Sequence, residues 1–477
     1  MKRSIQVCFL AIALSTGFAA CNSGPEVIDK IPTIVNKYDP SKPTSFTKII
    51  PSYGIIDENF IVEGNFPGEL EDMKVYFGDR KAVLLSTDGK SITGLVPKQG
   101  DGYNKITVVA GADSLATGEI IFKYKQSKSV KTLAGRLGAD RWMEDDGGNY
   151  NNVDINSVTF GEVHYVATVK GRNEDIVVMV ETGWGNRVFI MSLDDSKIQK
   201  VSSPANQGAP AVPSTRDKFY TVKMRGDWDG NDHAVYVFTP EESWAGDPVG
   251  VVITNADVDN THGASSTFGA DDNMLYWLDN KGRIVEVDLA TKSYKVFSAA
   301  NQKPGSINPN NYGGEIKAKD GLAKNLPSNF GTWQDSYITY SKYHGCFFAS
   351  FTQEHAIYKL TKEADGSWVS TLYAGNNGSG FTAGNRLNDA QFNQPHGMVV
   401  NELGEILVVN KNGHYVSKIV GDAVELVAGR PGSNNPLVNG EPLESRFNNP
   451  RNLAIDFEGN YYIAGGNDRT VRKLSIE

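Results

Sequence analysis

Cysteine is scarce in this chain of 477 residues: Cys8, Cys21 and Cys346 are all it has. Their number and wide spacing exclude a disulfide framework and a cysteine-rich zinc site. Basic runs are missing as well. With 47 basic against 56 acidic residues the net charge is −9, so the positive footprint that DNA or RNA binding needs is absent. No stretch approaches the roughly 20 consecutive apolar residues of a spanning helix. Signatures of nucleophilic and phosphate chemistry are lacking too: no Gly-x-Ser-x-Gly, no His-Glu-x-x-His and no phosphate loop occurs. Cys346 lies in the apolar run Cys346-Phe347-Phe348-Ala349, a setting for packing.

What is present is apolar content divided by turn formers. Residues of the AVILMFWYC set make up 40 %, alongside 49 Gly and 20 Pro, which suits a large core interrupted often. The start is an address. Met1-Lys2-Arg3 precedes a mostly apolar stretch from Ile5 to Leu14, then small residues lead to Ala19-Ala20-Cys21. Residues 1–20 are therefore expected to be a signal peptide. The Ala-Ala-Cys ending resembles a bacterial lipobox, with Phe18 in place of the commoner Leu. That resemblance implies cleavage before Cys21 and lipid on it. At about 0.8 kcal/mol per buried methylene, several acyl chains hold a protein on a membrane without a spanning segment. Residues 21–37 read as the lipidated tether.

Residues 38–125 alternate short strand patterns with turn signals. Phe60-Ile61-Val62, Lys74-Val75-Tyr76-Phe77, Ala82-Val83-Leu84-Leu85 and Ile106-Thr107-Val108-Val109 are separated by Gly64-Asn65, Gly78-Asp79, Asp88-Gly89 and Asp101-Gly102. Such spacing without a helical period predicts a small β-sandwich. Ile49-Ile50-Pro51-Ser52-Tyr53-Gly54, Ile61-Val62-Glu63-Gly64-Asn65-Phe66, Val75-Tyr76-Phe77-Gly78 and Val96-Pro97 resemble the IPT/TIG family of immunoglobulin-like domains. Those domains serve as spacers or contact modules.

Residues 126–477 carry an internal repeat. Phe392-Asn393-Gln394-Pro395 recurs as Phe447-Asn448-Asn449-Pro450, Ile406–Val409 as Tyr461–Ala464, and Tyr415–Ile419 as Thr470–Leu474. A fourth strand, Val424–Gly429, completes the earlier copy, whereas the chain stops at Glu477 before the later copy has one. Val130-Lys131-Thr132-Leu133-Ala134-Gly135 carries the missing pattern. Terminal strands sharing one sheet close a β-propeller and hide its edges. Strand quartets over 163–201, 210–254, 263–298, 337–375 and 397–429, plus the shared one, predict six blades. The second has a short, proline-interrupted first strand near Ala211-Val212. Ala428-Gly429, Phe447-Asn448-Asn449-Pro450, Asp456, Gly459-Asn460 and Arg472-Lys473 resemble the NHL repeat.

In a propeller, the loops entering each innermost strand share a face with those joining the second and third strands. The former are long here (136–158, 299–336, 376–396 and 430–451), and long ordered loops carry function. This places Trp142, Trp184, Trp228, His262, Trp333, His396 and Arg451 on one face as the candidate ligand site, with His355 and His414 joining them. Flat aromatic surfaces suit sugar rings, while His, Arg, Asn and Asp suit hydroxyls. Asp227-Trp228-Asp229-Gly230-Asn231-Asp232 has the alternating oxygens of a calcium loop, but Phe238 stands where the bidentate Glu belongs, so a solvated turn is expected. Asp145-Asp146 and Asp194-Asp195 read as solvated turns as well. No metal, cofactor or catalytic residue is assigned.

Lipobox, IPT/TIG-like module and NHL-like propeller together resemble auxiliary nutrient-binding lipoproteins of Bacteroidetes. The resemblance implies an all-β protein anchored to the outer membrane, at the cell surface, touching the membrane only through its lipid. It implies a glycan or other nutrient as ligand and an outer-membrane transporter as partner. A metal-dependent propeller lyase or hydrolase, with His262, His396 and His414 around the channel, and a protein-interaction scaffold are the competing readings.

Overall fold

The computed structural model describes residues 37–99, 102–115, 120–135, 152–170, 174–181, 186–204, 207–223, 232–258, 265–279, 281–299, 305–318, 336–375, 378–433 and 437–476. These residues form strands, turns and two single-turn 3-10 segments, with no α-helix among them. The all-β expectation holds. The chain divides into two compact units, up to Gln126 and from Ser127.

The first unit consists of two sheets over one core. One has the order Ser45–Ile50, Asn59–Asn65, Ser91–Leu95, Val83–Thr87. The other runs Tyr53–Gly54, Ile121–Tyr124, Gly102–Ala110, Met73–Phe77, Arg80–Lys81, with Asp113–Leu115 paired to the third of these. Strand alternation sorts the side chains: Phe60 and Val62 are fully buried while Ile61 between them is exposed. Phe77 meets Phe60 at 5.1 Å and Phe122 at 4.9 Å, both edge-on. Such pairs add about 0.5–1.5 kcal/mol each to the burial of the rings.

The second unit stacks its sheets in a propeller-like order. Its first sheet orders Val153–Asp154, Lys197–Lys200, Asn186–Ser192, Glu174–Glu181 and Val163–Lys170. Three strands follow, Phe219–Val222, His233–Phe238 and Gly246–Ile253, extended on the inner side by bridges Gln207↔Lys223 and Ala211↔Tyr220. That inner segment is no continuous strand because Pro210 and Pro213 bring no N–H to a ladder. A nine-stranded sheet comes next, and it is two quartets joined through Tyr312–Ala318. This connecting strand lies parallel to Ser293–Ser298 on one side and to Trp368–Gly375 on the other. Part of the segment 299–336, expected as a loop over the ligand face, therefore pairs with outer strands instead.

The fifth sheet orders Gly384–Asn385, Ala423–Gly429, Tyr415–Val420, Ile406–Asn410 and Pro395–Val400. In the last sheet Lys128–Gly135 pairs antiparallel with Thr470–Ile476, followed by Tyr461–Ala464 and Asn452–Ile455. Val130 is fully buried there among Leu453, Ile463 and Leu474. Repeated turns punctuate the ladders. Asp456 accepts the N–H of Asn460 at 2.8 Å around Gly459, and Asn401 accepts that of Glu405 at 3.0 Å around Gly404. Both glycines have φ near +80°, which a side chain would oppose.

Innermost strands of neighbouring sheets are joined side by side. Val166 donates its N–H to Asn452 Oδ1 at 3.0 Å, Gly397 to the Arg451 carbonyl at 3.0 Å, and Ile338 to Ser265 Oγ at 2.7 Å. Ser266 Oγ donates to the Ala209 carbonyl at 3.1 Å, and Lys170 N–H to the Arg216 carbonyl at 2.6 Å. At Gly397 the approach is so close that a methyl would stand 2.6 Å from Asn452 Cα. The inner strands thus follow one another around a common centre.

Candidate functional site

Three equivalent positions meet at the entry ends of these strands. Phe392-Asn393-Gln394-Pro395-His396, Phe447-Asn448-Asn449-Pro450-Arg451 and Phe160-Gly161-Glu162-Val163-His164 have the same frame, and each turns into an innermost strand. His396, Arg451 and His164 therefore stand at matching points on three neighbouring sheets. Arg451 donates through Nη2 to Glu162 Oε2 at 3.0 Å, and His164 Nε2 lies 3.5 Å from the same oxygen. Each of these side chains keeps only 10–15 % of its surface exposed, so the pair and the imidazole form a rim that a ligand could still touch. The hydrogen bond from His164 and the charge of Arg451 hold the Glu162 carboxyl at about 2, against the opposing effect of burial. A fixed anion beside a guanidinium results.

His396, 2 % exposed, has the rings of Tyr165 and Tyr337 on it, each at 6.4 Å and tilted by 30° and 34°. Ser350 Oγ donates to the His396 carbonyl, tying its backbone to the neighbouring strand. Burial raises the Tyr337 phenol above its usual range, with Asn452 acting weakly the other way. Gly466 closes the arrangement from the last sheet: its N–H donates to the Val163 carbonyl at 3.1 Å, and a methyl there would overlap the Asn449 carbonyl.

Of the expected site residues, His396 and Arg451 stand at equivalent strand ends of neighbouring sheets, linked through the Gly397 N–H on the Arg451 carbonyl. Cys21, Trp142, Trp184, Trp228, His262 and Trp333 lie outside the described residues, as do Asp145 and Asp146. Asp194 and Asp195 are exposed in a turn, as expected. His355 and His414 do not offer both ring nitrogens to a ligand: Nδ1 of each accepts a backbone N–H, from Gln394 and Asn449, at 3.1 Å. His233 and His344 are likewise committed to backbone carbonyls. Among the described residues no three His, Cys, Asp or Glu side chains are grouped to hold a metal ion. Glu162, His164, Tyr165, Tyr337 and Asn452 escape the sequence reading. The signal for the first three is the degenerate copy of the Phe-Asn-x-Pro frame at Phe160. A surface cavity of about 520 Å³ lies at the outer strands, lined by Lys295, Phe297, Tyr312, Lys317, Lys362 and Asp365 among others, and holds none of the expected residues.

No protein-family model matches this chain, and no curated protein matches it in sequence. Solved structures do. A Bacteroides thetaiotaomicron protein of unknown function is 25 % identical, with a TM-score of 0.72 over 92 % of this chain and 100 % of its own. Two auxiliary nutrient binding proteins share the fold at lower identity. The one from B. thetaiotaomicron is 16 % identical, with a TM-score of 0.53 over 93 % of this chain and 100 % of its own. The one from B. ovatus is also 16 % identical, with a TM-score of 0.53 over 92 % and 99 %. These likenesses extend across both units of the chain.

Proposed function

We propose that this chain is a lipid-anchored accessory protein that captures a nutrient, a glycan, at the mouth formed by Glu162, His164, His396 and Arg451. The second unit is read as a six-bladed propeller closed by its terminal strands, and the first as an IPT/TIG-like spacer between propeller and anchor. The observation that carries the binding reading is the Glu162–Arg451 pair with His164, each 10–15 % exposed, beside the Tyr165 ring that His164 meets edge-on. Arg451 and His164 supply donors, Glu162 supplies an acceptor, and Tyr165 supplies an apolar face. A polyhydroxylated ring presents the complementary set of groups.

Support for the accessory role comes from the fold shared with the two Bacteroides auxiliary nutrient binding proteins. The Ala19-Ala20-Cys21 ending supports lipidation and residence at the outer membrane, beside a transporter that takes the captured ligand. Binding is tested by affinity-gel retardation against a panel of polysaccharides with Glu162→Gln, Arg451→Ala, Trp184→Ala and Trp228→Ala. The expected result is retardation of the wild type by at least one polysaccharide and its loss in the Glu162 and Arg451 variants. Retardation by none, or equal retardation of every variant, overturns the site. Labelled palmitate incorporated by wild type but not by Cys21→Ser tests the anchor.

A further inference from the structure

His355 and His414 perform one task twice. His355 follows the turn after Cys346–Phe351, and His414 the turn after Ile406–Asn410; both have left-handed backbone, with φ of 54° and 65°. Nδ1 of His355 accepts the N–H of Gln394, and Nδ1 of His414 that of Asn449, each at 3.1 Å. The recipients match as well. Each is the third residue of the Phe-Asn-x-Pro frame in the next sheet, directly before Pro395-His396 and Pro450-Arg451. Gln394 and Asn449 are themselves left-handed, at φ 56° and 50°, a state uncommon for Gln and better tolerated by Asn. The amide one position earlier is held from its own sheet: Asn393 donates to Asn410 Oδ1 at 3.2 Å, and Asn448 to Asp468 Oδ2 at 2.9 Å. Both amides of each frame are thus fixed by side chains.

We propose that His355 and His414 are positioning residues whose unprotonated Nδ1 atoms hold the turns that set His396 and Arg451 at the mouth, and that protonating them releases both turns and the ligand. This rests on the reading of that mouth as the binding site. An imidazole accepts at Nδ1 only while its single proton is on Nε2; the protonated ring turns a second N–H toward the amide. The charged groups around the two rings are few. Glu354 adjoins His355, Lys411 shares the turn of His414, and Asp468 and Arg451 flank the Asn448-Asn449 recipient. Burial disfavours the charged form of both rings, with Glu354 opposing it at His355, so both are neutral at pH 7.

The test uses the whole chain and needs no ligand. Amide hydrogen exchange, corrected for its intrinsic pH dependence, is followed at Gln394 and Asn449 in wild type and in His355→Ala, His355→Asn, His414→Ala and His414→Asn. Loss of the acceptor in the alanine variants should speed exchange at the matching amide about tenfold, the scale of one hydrogen bond. Asparagine supplies an oxygen acceptor and tolerates left-handed backbone, so it should restore slow exchange. Wild-type exchange should rise as pH falls below the range of a free imidazole, and that of the asparagine variants should not. Unchanged exchange in the alanine variants, or no rescue by asparagine, overturns the proposal. If an alanine variant does not fold, imidazole nitrogen NMR of the wild type decides: both rings must carry their proton on Nε2 at pH 7, and the other tautomer overturns it. Failure to bind any polysaccharide would overturn the function reading alone, since none of these readouts depends on ligand.

Discussion

Arg451 donates to Glu162 at 3.0 Å across 289 positions of the chain. The contact lies where the last sheet of the second unit meets the first, next to the bond from Val166 N–H to Asn452 Oδ1. Breaking a buried pair from one side leaves the other charge uncompensated, so Arg451→Ala should cost about 3 kcal/mol. Urea unfolding at pH 7 checks this, and a loss below about 1 kcal/mol contradicts the burial argument.

The same pair predicts an acid transition. The Glu162 carboxyl is held at about 2 in the folded protein, against its ordinary 4.5. Its stabilising contribution is complete above pH 4.5 and disappears as pH falls through about 2. The amount lost is on the order of 3 kcal/mol. Glu162→Gln should flatten the stability profile across that window, as measured by urea midpoints from pH 5 to pH 2.

Asp468 has the opposite sign. Burial, outweighing the Asn448 amide and the charge of Arg472, raises its carboxyl to about 7. The folded state then binds a proton that the unfolded state releases near 3.8, so stability falls as pH rises from about 4 to about 7. Asp468→Asn keeps an oxygen for the Asn448 N–H and removes the titration. It should be more stable than wild type at pH 8 and similar at pH 4.5, by thermal unfolding at both.

Trp368 begins an outer strand yet has no exposed surface. Its indole N–H donates to Glu286 Oε1 at 2.8 Å, and its ring packs against Tyr276, Phe297 and Phe347. Trp368→Ala should cost about 3–5 kcal/mol from lost burial and the cavity left behind. Trp368→Phe should cost less, because it keeps most of the ring burial, and what it does cost comes mainly from the lost hydrogen bond to Glu286. Chemical denaturation of both variants measures it.

Closure by the terminal strands makes a further prediction. Removing residues 470–477 takes the partner from Lys128–Gly135 and exposes Val130, Leu453 and Ile463. The truncated chain should lose its cooperative unfolding transition or aggregate, as followed by circular dichroism and light scattering. A transition within a few degrees of the full chain would show that the shared sheet contributes little.

The ladders of the second unit were readable because the 55-residue offset repeats their alternation and turn residues together. Ile406–Asn410 and Tyr461–Ala464, and Tyr415–Val420 and Thr470–Ile476, follow the offset in the structure. The strand Tyr312–Ala318 was not readable. Its Gly313-Gly314 pair interrupts any apolar alternation, and its place depends on parallel bonding both to the preceding strand and to the distant Trp368–Gly375. Gly313 is there for space: a side chain at this position would run into the Phe297 ring.

The candidate site was legible only in part. His396 and Arg451 stand out because they follow an intact motif, whereas Glu162 and His164 follow a copy in which only the Phe survives. Aromatic content pointed to a sugar-like ligand, but the rings that meet His396 are Tyr165, beside the degenerate copy of the motif, and Tyr337, outside any copy of it.

By itself the sequence determined most of the strands, their turns and the pairing of Lys128–Gly135 with the last strand. Those properties follow from local alternation, backbone preference and composition. Tertiary structure alone decided that His164 and Arg451 meet at Glu162, that Glu162 stays charged between them, that Tyr165 and Tyr337 flank His396, and that His355 and His414 turn a nitrogen to the backbone. Equivalent positions on different sheets become neighbours only when the sheets stand around a common centre. No local pattern records which of a side chain's atoms that packing will occupy.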